Sequence, residues 1–316
     1  MNNRGFQANC GVTIDMAGAA RNFTRLKSGI SMPLTALGLL LLAAVLHAGW
    51  NLLVKRAKEK QVFTWWALVV GCACFTPLLL ISQPFPAQVW PYIVCSAAME
   101  GSYYIILTRA YEHGDFSVIY PIARGAAPVF LVLWAFLFLG ERPRLIGYVG
   151  LVLLVLGLIV IGGKTWWSLR KATTLHTSGI VLALTVACCI SIYSAIDGAA
   201  VHRVAAAPYT LVVISLSAAF FTPLVLMRYG RRAITAEWRA NRLGILLVGI
   251  LMLLSYMLVL ESYALARVSY AGAVREISVV FAALMGWRWL GEDFGRIRTF
   301  GASIIFIGIL IIALVG

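Results

Sequence analysis

The chain has 316 residues, of which 61% are hydrophobic and only 12% charged, and its mean hydropathy is +0.90. A water-soluble fold needs roughly a quarter of its residues charged, so this composition excludes one. The net charge of +14 does not imply a nucleic-acid partner, because Lys and Arg sit in short connections between apolar runs. Anionic headgroups and membrane topology account for them there.

Residues 1–31 are rich in Gly and Ala and carry Arg4, Arg21, Arg25 and Lys27. They precede an apolar stretch too long for a signal-peptide core and without a convincing cleavage site, so a disordered N-terminal extension is expected. From Met32 onward apolar segments follow one another. A hydrocarbon core about 30 Å thick takes around 20 residues per helix. On that measure ten spans are predicted: 33–53, 62–82, 90–111, 117–139, 144–163, 177–197, 208–228, 243–265, 269–290 and 297–315. Trp65, Trp66, Trp90, Trp166, Trp167, Trp238, Trp287 and Trp289 fall near span ends, the expected place for interfacial aromatics. No connection is long enough to fold alone, which puts the chemistry inside the bilayer.

The segment 166–176 divides the chain into a first five-helix unit, 32–165, and a second, 177–316. A constant offset of 151 positions relates them: Arg124 to Arg275, Val129-Phe130 to Val280-Phe281, Leu139-Gly140-Glu141 to Leu290-Gly291-Glu292, and Gly150 and Gly157 to Gly301 and Gly308. Apolar composition can match valines by chance, but not Arg, Gly-Glu and two glycines in step. An odd number of spans per copy turns the second upside down relative to the first, the plan of secondary transporters. Basic residues crowd the odd-numbered connections (Lys55, Arg56, Lys58 and Lys60; Lys164, Arg170 and Lys171; Arg228, Arg231, Arg232, Arg239 and Arg242). The positive-inside rule puts these in the cytoplasm and both termini outside, whereas the basic N-terminal tail argues the reverse.

The two copies, each with Leu-Gly-Glu closing its fourth helix and a glycine-stepped fifth, resemble the EamA family of the drug/metabolite transporter superfamily. The opening helix, with His47-Ala48-Gly49-Trp50-Asn51 and Val54-Lys55, is similar to that family's first helix. The resemblance implies an all-α membrane protein of ten transmembrane helices, two inverted five-helix repeats around a central cavity. Spans one to four and six to nine would enclose that cavity, with spans five and ten as packing struts. Gly150/Gly157 and Gly301/Gly308, each seven apart, lie on one helix face and permit close backbone approach.

Ionisable groups at membrane depth cost roughly 3 kcal/mol or more and usually line a cavity or pair with one another. Arg124 and Arg275 occupy equivalent places in spans four and nine, and a guanidinium fork suits a carboxylate or phosphate. They are the leading candidates for substrate contact, joined by Glu276, Glu100, Tyr103, Tyr104, Tyr256, His47 and Asn51. Pro121 and Gly125 in one copy and Gly272 in the other are expected to loosen those helices. The structural alternative pairs Arg275 with Glu261 or Glu276, and Arg124 with Glu100.

Glu100 and His47 are the candidates for proton coupling, since a desolvated carboxylate and an imidazole can both titrate near neutrality. The alternative for His47 is a hydrogen bond to neighbouring backbone or to Asn51. Asp197 is read as ending span six, Glu141 and Glu292 as cap residues at a turn, and Tyr120, Tyr193 and Tyr270 as possible cavity lining. Of the six cysteines (Cys10, Cys72, Cys74, Cys95, Cys188 and Cys189) five lie within spans, and none has C-x-x-C spacing, so no metal is expected. No nucleophile elbow, zincin or P-loop motif is present, and neither cofactor nor enzyme activity is expected.

The expected function is secondary-active transport of a small polar metabolite, anionic or zwitterionic and amino-acid-like, driven by a proton or substrate gradient in a bacterial inner membrane. The expected partners are a small-molecule substrate and the lipid bilayer, with the chain a monomer or weak homodimer. The alternatives are a flippase for a lipid-linked or amphipathic substrate, and a membrane-embedded enzyme built on Ser102, Ser194 or Ser255 near His47.

Overall fold

The computed structural model describes residues 32–112, 116–169, 177–290 and 296–315. The expected extension 1–31, most of the linker 166–176, and Glu292 lie outside the described residues. Among those described, every regular element is helical: α1 (Leu34–Arg56), α2 (Lys60–Phe75), α3 (Pro77–Leu80), α4 (Trp90–Glu112), α5 (Phe116–Phe138), α6 (Leu145–Leu169), α7 (Thr177–Ala200), α8 (Ala206–Arg228), α9 (Arg231–Leu265), α10 (Val268–Arg275), α11 (Ser278–Leu290) and α12 (Arg296–Val315).

Three expected spans are not simple helices. The second breaks at Thr76-Pro77, where proline has no N–H to continue the ladder. The ninth breaks at Glu276-Ile277, where the amides of Glu276 and Ile277 bond the carbonyls three residues back, Ala273 and Val274, both at 3.0 Å. That is a 3₁₀ turn inside a helix. The eighth begins twelve residues earlier than expected, because the stretch read as a connection folds as a helical first segment of α9. A kink at Asn241 (φ −129°, ψ 19°) follows that segment.

Among the described residues, composition and length make five stretches able to cross a bilayer: Leu34–Val54, Lys60–Leu80, Ser178–Ala200, Ala206–Arg228 and Arg231–Leu265. Three shorter apolar helices, Ile122–Phe138, Leu145–Val160 and Thr299–Leu314, accompany them. The less apolar stretches are α4 and the pair α10–α11. They carry Glu100, Arg275 and Glu276, three of the buried charged residues.

Packing relates the two halves by exchange. α4 packs on α7 and α8, as α9 packs on α1 and α2; α5 packs on α7, as α10 and α11 pack on α1; α6 packs on α12. Swapping each helix for its repeat counterpart leaves this set unchanged. At the α6–α12 crossing a Cβ on Gly150 would sit 2.8 Å from the Gly308 carbonyl, and one on Gly157 2.7 Å from the Gly301 carbonyl. Gly150 is equivalent to Gly301 and Gly157 to Gly308, so the two contacts map onto each other. The equivalent helices therefore run antiparallel, and the second copy is inverted relative to the first. The seam closes around Leu154 and Ile305, both without exposed surface.

The outer surface is rich in apolar side chains, and polar groups are buried within the otherwise apolar interior. Leu133, Phe136, Val152, Leu156, Phe306 and Leu310 face outward, while Asp197, Glu276, Ser96, Ser194 and Ser262 have no exposed surface. With lipid as the surrounding solvent this is the expected sense. Not every terminal tryptophan is a lipid anchor, however. Trp65 is buried and its indole N–H donates to Thr222 Oγ1 at 2.9 Å, and that of Trp66 donates to the Ile234 carbonyl at 3.0 Å. These bonds fasten α2 to α8 and α9.

Candidate functional site

The site is set in place by a contact between the halves. α5 ends at Gly140, whose φ of +64° is a left-handed conformation that glycine adopts without a Cβ clash. The turn it makes carries Glu141 under the start of α10. Glu141 Oε1 accepts the Val268 amide at 2.6 Å, and Oε2 accepts the Ser269 amide at 3.0 Å and the Ser269 hydroxyl. The first amides of a helix lack intrahelical partners, and a carboxylate there also meets the positive end of the helix dipole. The cap reading of Glu141 thus applies, but to a helix of the other repeat. Alongside, Tyr270 OH accepts the Arg144 amide at 3.1 Å. Tyr270 belongs to this junction and not to the central cluster.

α10 runs for eight residues and delivers Arg275 and Glu276 at its end. Gly272 does not loosen it. α5 approaches so closely there that a Cβ on Gly272 would overlap Leu131, which makes this a packing glycine. α5 itself is one continuous helix through Gly125. The helix break falls one turn later, at Glu276-Ile277.

Arg124 reaches across from α5. Its Nε lies 3.3 Å from Glu276 Oε2, one terminal nitrogen lies 3.2 Å from His47 Nε2, and the same nitrogen lies 3.5 Å from Ser278 Oγ. Arginine has no acceptor, so His47 Nε2 must accept and the ring proton resides on Nδ1. Arg275 Nε lies 3.8 Å from Glu276 Oε1. One carboxylate with 1% of its side chain exposed thus stands between two guanidinium groups, one from each half.

A second group lies on α4, α7, α8 and α9. Asp197, fully buried, accepts from Tyr209 OH at 2.8 Å through Oδ1 and from Tyr256 OH through Oδ2. Glu100 Oε2 accepts from Ser217 at 2.9 Å. Rings join these groups: Tyr103 to Tyr104 (centroids 4.9 Å apart), Tyr103 to Tyr193 (6.4 Å) and Tyr193 to Tyr256 (6.3 Å).

Several expected pairings differ. Arg124 meets Glu276 and not Glu100. Glu261 is exposed on α9 and is not the partner of Arg275. Asn51 donates to the His47 carbonyl at 2.8 Å, a bond within its own helix, and the imidazole turns to Arg124. Ser255 donates to the Met252 carbonyl within α9, so it makes no dyad with His47. The side chain of Tyr120 lies outside the described residues. Asp197, Tyr209, Ser217 and Ser278 were not among the expected contacts. Asp197 carried a signal, an acid within reach of an apolar run, whereas the hydroxyls carried none. Among the described residues no group of His, Cys, Asp or Glu has the arrangement of a metal site.

The profile of the EamA-like transporter family matches residues 34–163 and again residues 177–314. The chain belongs to the EamA-like transporter family. As an EamA-like transporter it is an integral, multi-pass membrane protein of the drug/metabolite type, carrying the family unit twice. Comparison with curated protein sequences gives no match. Among solved structures 29 chains match. One, a protein crystal structure, has a TM-score of 0.70 and 18% identity, covering 91% of this chain and 100% of its own. At that identity the likeness is one of fold.

Proposed function

We propose that this EamA-like transporter moves a small zwitterionic, amino-acid-like metabolite by alternating access in a bacterial inner membrane. The observation that carries the reading is the Arg124–Glu276–Arg275 group, in which residues of both halves meet on buried charge beside a second, acidic group. Arg124 and Arg275 present planar donor forks to a substrate carboxylate, which would compete with Glu276 for them. Asp197 and Glu100 would take an ammonium group, with the aromatic rings of Tyr193 and Tyr256 in the same group. A substrate with one charge of each sign satisfies both groups, and a simple anion satisfies one.

The coupling follows from the same arrangement. His47 accepts from Arg124 through Nε2, so taking up a proton there requires breaking that bond. Glu100 has a single hydroxyl partner, Ser217, across the α4–α8 contact and is the better proton carrier. Rocking of one repeat against the other re-forms the Arg124–Glu276 contact from either side, with the 3₁₀ turn at Glu276-Ile277 as the flexible element.

The test is uptake into proteoliposomes of the purified protein under an imposed pH gradient, with zwitterionic amino acids, simple carboxylates and a fluorescent phospholipid offered separately. Gradient-driven movement of a zwitterion is expected. Movement of the phospholipid alone would replace this reading by a flippase, and movement of carboxylates alone would remove the role given to Asp197 and Glu100.

A further inference from the structure

The joint between α1 and α9 holds a groove of about 420 Å³ lined by Gly49, Leu52, Leu53, Leu251 and Arg56. Its walls are apolar, and its single charged lining residue lies at the C-terminal end of α1. Nothing stands within 4 Å of where a Cβ on Gly49 would be, so the space beside that glycine is open. The surroundings of its mouth are basic. The Glu59 amide bonds Glu237 Oε2 at 3.4 Å, which brings the end of α1 and the first segment of α9 together at one membrane face. Arg56, Lys58 and Lys60 are exposed on one side of that joint, and Arg239 and Arg242 on the other. Glu237, 5% exposed and accepting the Asn241 amide nitrogen at 2.7 Å through its other oxygen, and the partly exposed Glu59 set two negative charges against these five positive ones.

An apolar slot opening under a cluster of cations has the chemistry of one ligand in particular. We infer that the α1–α9 groove is a binding site for an anionic phospholipid, with an acyl chain lying along Gly49, Leu52, Leu53 and Leu251 and the headgroup phosphate held by Arg56 and the basic rim. The volume is within the usual range of ligand sites, roughly 300–1,000 Å³. A guanidinium at headgroup depth matches a phosphate in two points. Because α1 and α9 belong to opposite repeats, the lipid would bridge the two bodies that transport moves. The site lies apart from the Arg124–Glu276 group and does not depend on what is carried.

The test uses the full chain in nanodiscs containing both phosphatidylcholine and phosphatidylglycerol, released into native mass spectrometry to count retained lipid. A retained phosphatidylglycerol in preference to phosphatidylcholine is expected. Arg56→Gln should lower its occupancy about fivefold, the factor for one cation at a membrane surface. Gly49→Leu, whose Cβ would meet nothing within 4 Å, should lower retention while leaving the protein folded. Equal retention of the two lipids, or unchanged retention in Gly49→Leu, overturns the site. A loss in Arg231→Gln/Arg232→Gln as large as in Arg56→Gln also overturns it, because attraction to the whole basic face would then suffice. So does displacement by soluble glycerol phosphate, which lacks the chain the groove is meant to hold.

Discussion

Replacing Arg124 by Gln removes a guanidinium whose Nε lies 3.3 Å from a carboxylate with 1% of its side chain exposed. Breaking a buried ion pair by removing one partner costs about 3–5 kcal/mol, because the other charge stays behind in a low dielectric. Here Arg275, 3.8 Å away, continues to balance Glu276. The expected loss is therefore at the lower end, about 3 kcal/mol. Adding Glu276→Gln leaves Arg275 without its carboxylate, so the coupling, about 2 kcal/mol, should show as a loss in the double variant smaller than the sum of the two single losses. Thermal unfolding of the wild type, both single variants and the double variant in detergent reads this cycle, with proteoliposome uptake measured on the same four proteins. The double variant is expected to lose less than the two single losses together and to remain inactive in transport. Wild-type transport by Arg124→Gln/Glu276→Gln would show the pair to be structural only. Strict additivity of the four stabilities would show that the two groups are not coupled at all.

Glu100→Gln should leave a folded transporter whose rate no longer varies with pH, and an unchanged pH–rate profile would move proton coupling to another group. Glu141→Ala removes the acceptor for the amides of Val268 and Ser269; at about 1.5–3 kcal/mol for each hydrogen bond to a charged group, the unfolding temperature should fall by far more than for a surface change. Gly157→Val places side-chain atoms where a Cβ alone would sit 2.7 Å from the Gly301 carbonyl and should destabilise the protein by about 1–3 kcal/mol. Its KM should be unchanged, because neither Gly157 nor Gly301 belongs to the charged group, and a shifted KM would show the seam to be coupled to that group.

The fold was readable because its signals repeat. Apolar runs set the helices, and Arg124/Arg275 with Gly150/Gly157 and Gly301/Gly308 fixed the duplication. The site was readable as a set of residue types, since charge in lipid is costly enough to be rare. Its pairings were not. Sequence position gives the depth of a residue along its helix, but the rotation of that helix comes from packing against the other repeat. Hence Arg124 pairs with Glu276 and not with Glu100. Asp197 was taken as the end of a span because the apolar run stops there, yet α7 continues to Ala200 and two tyrosine hydroxyls hold the carboxylate. Glu141 has a cap's sequence, but the helix it caps starts 127 residues later, beyond any local rule. The first segment of α9 was missed for the opposite reason. Its arginines suppress the hydropathy signal while Ile234 and Trp238 pack inward, Ile234 beside Trp65 and Trp238 beside Phe63.

The repeats are equivalent in sequence but not in conformation at the residues that matter most. Arg124 sits in the uninterrupted helix α5, whereas its counterpart Arg275 ends α10, followed by two residues of tighter turn. A two-fold arrangement at rest would give both copies the same local geometry. On the alternating-access reading proposed above, the difference corresponds to one side of the cycle, with the tighter turn in the second repeat. In an inverted pair the opposite state is reached when the halves exchange conformations. The expectation for that state is concrete: the first repeat acquires the break just after Arg124, at Gly125-Ala126, the positions equivalent to Glu276-Ile277, where glycine tolerates non-helical backbone. The second repeat then regains a continuous helix through Glu276. Gly125→Ala should accordingly hold the transporter in the present state, slowing turnover while leaving substrate binding intact.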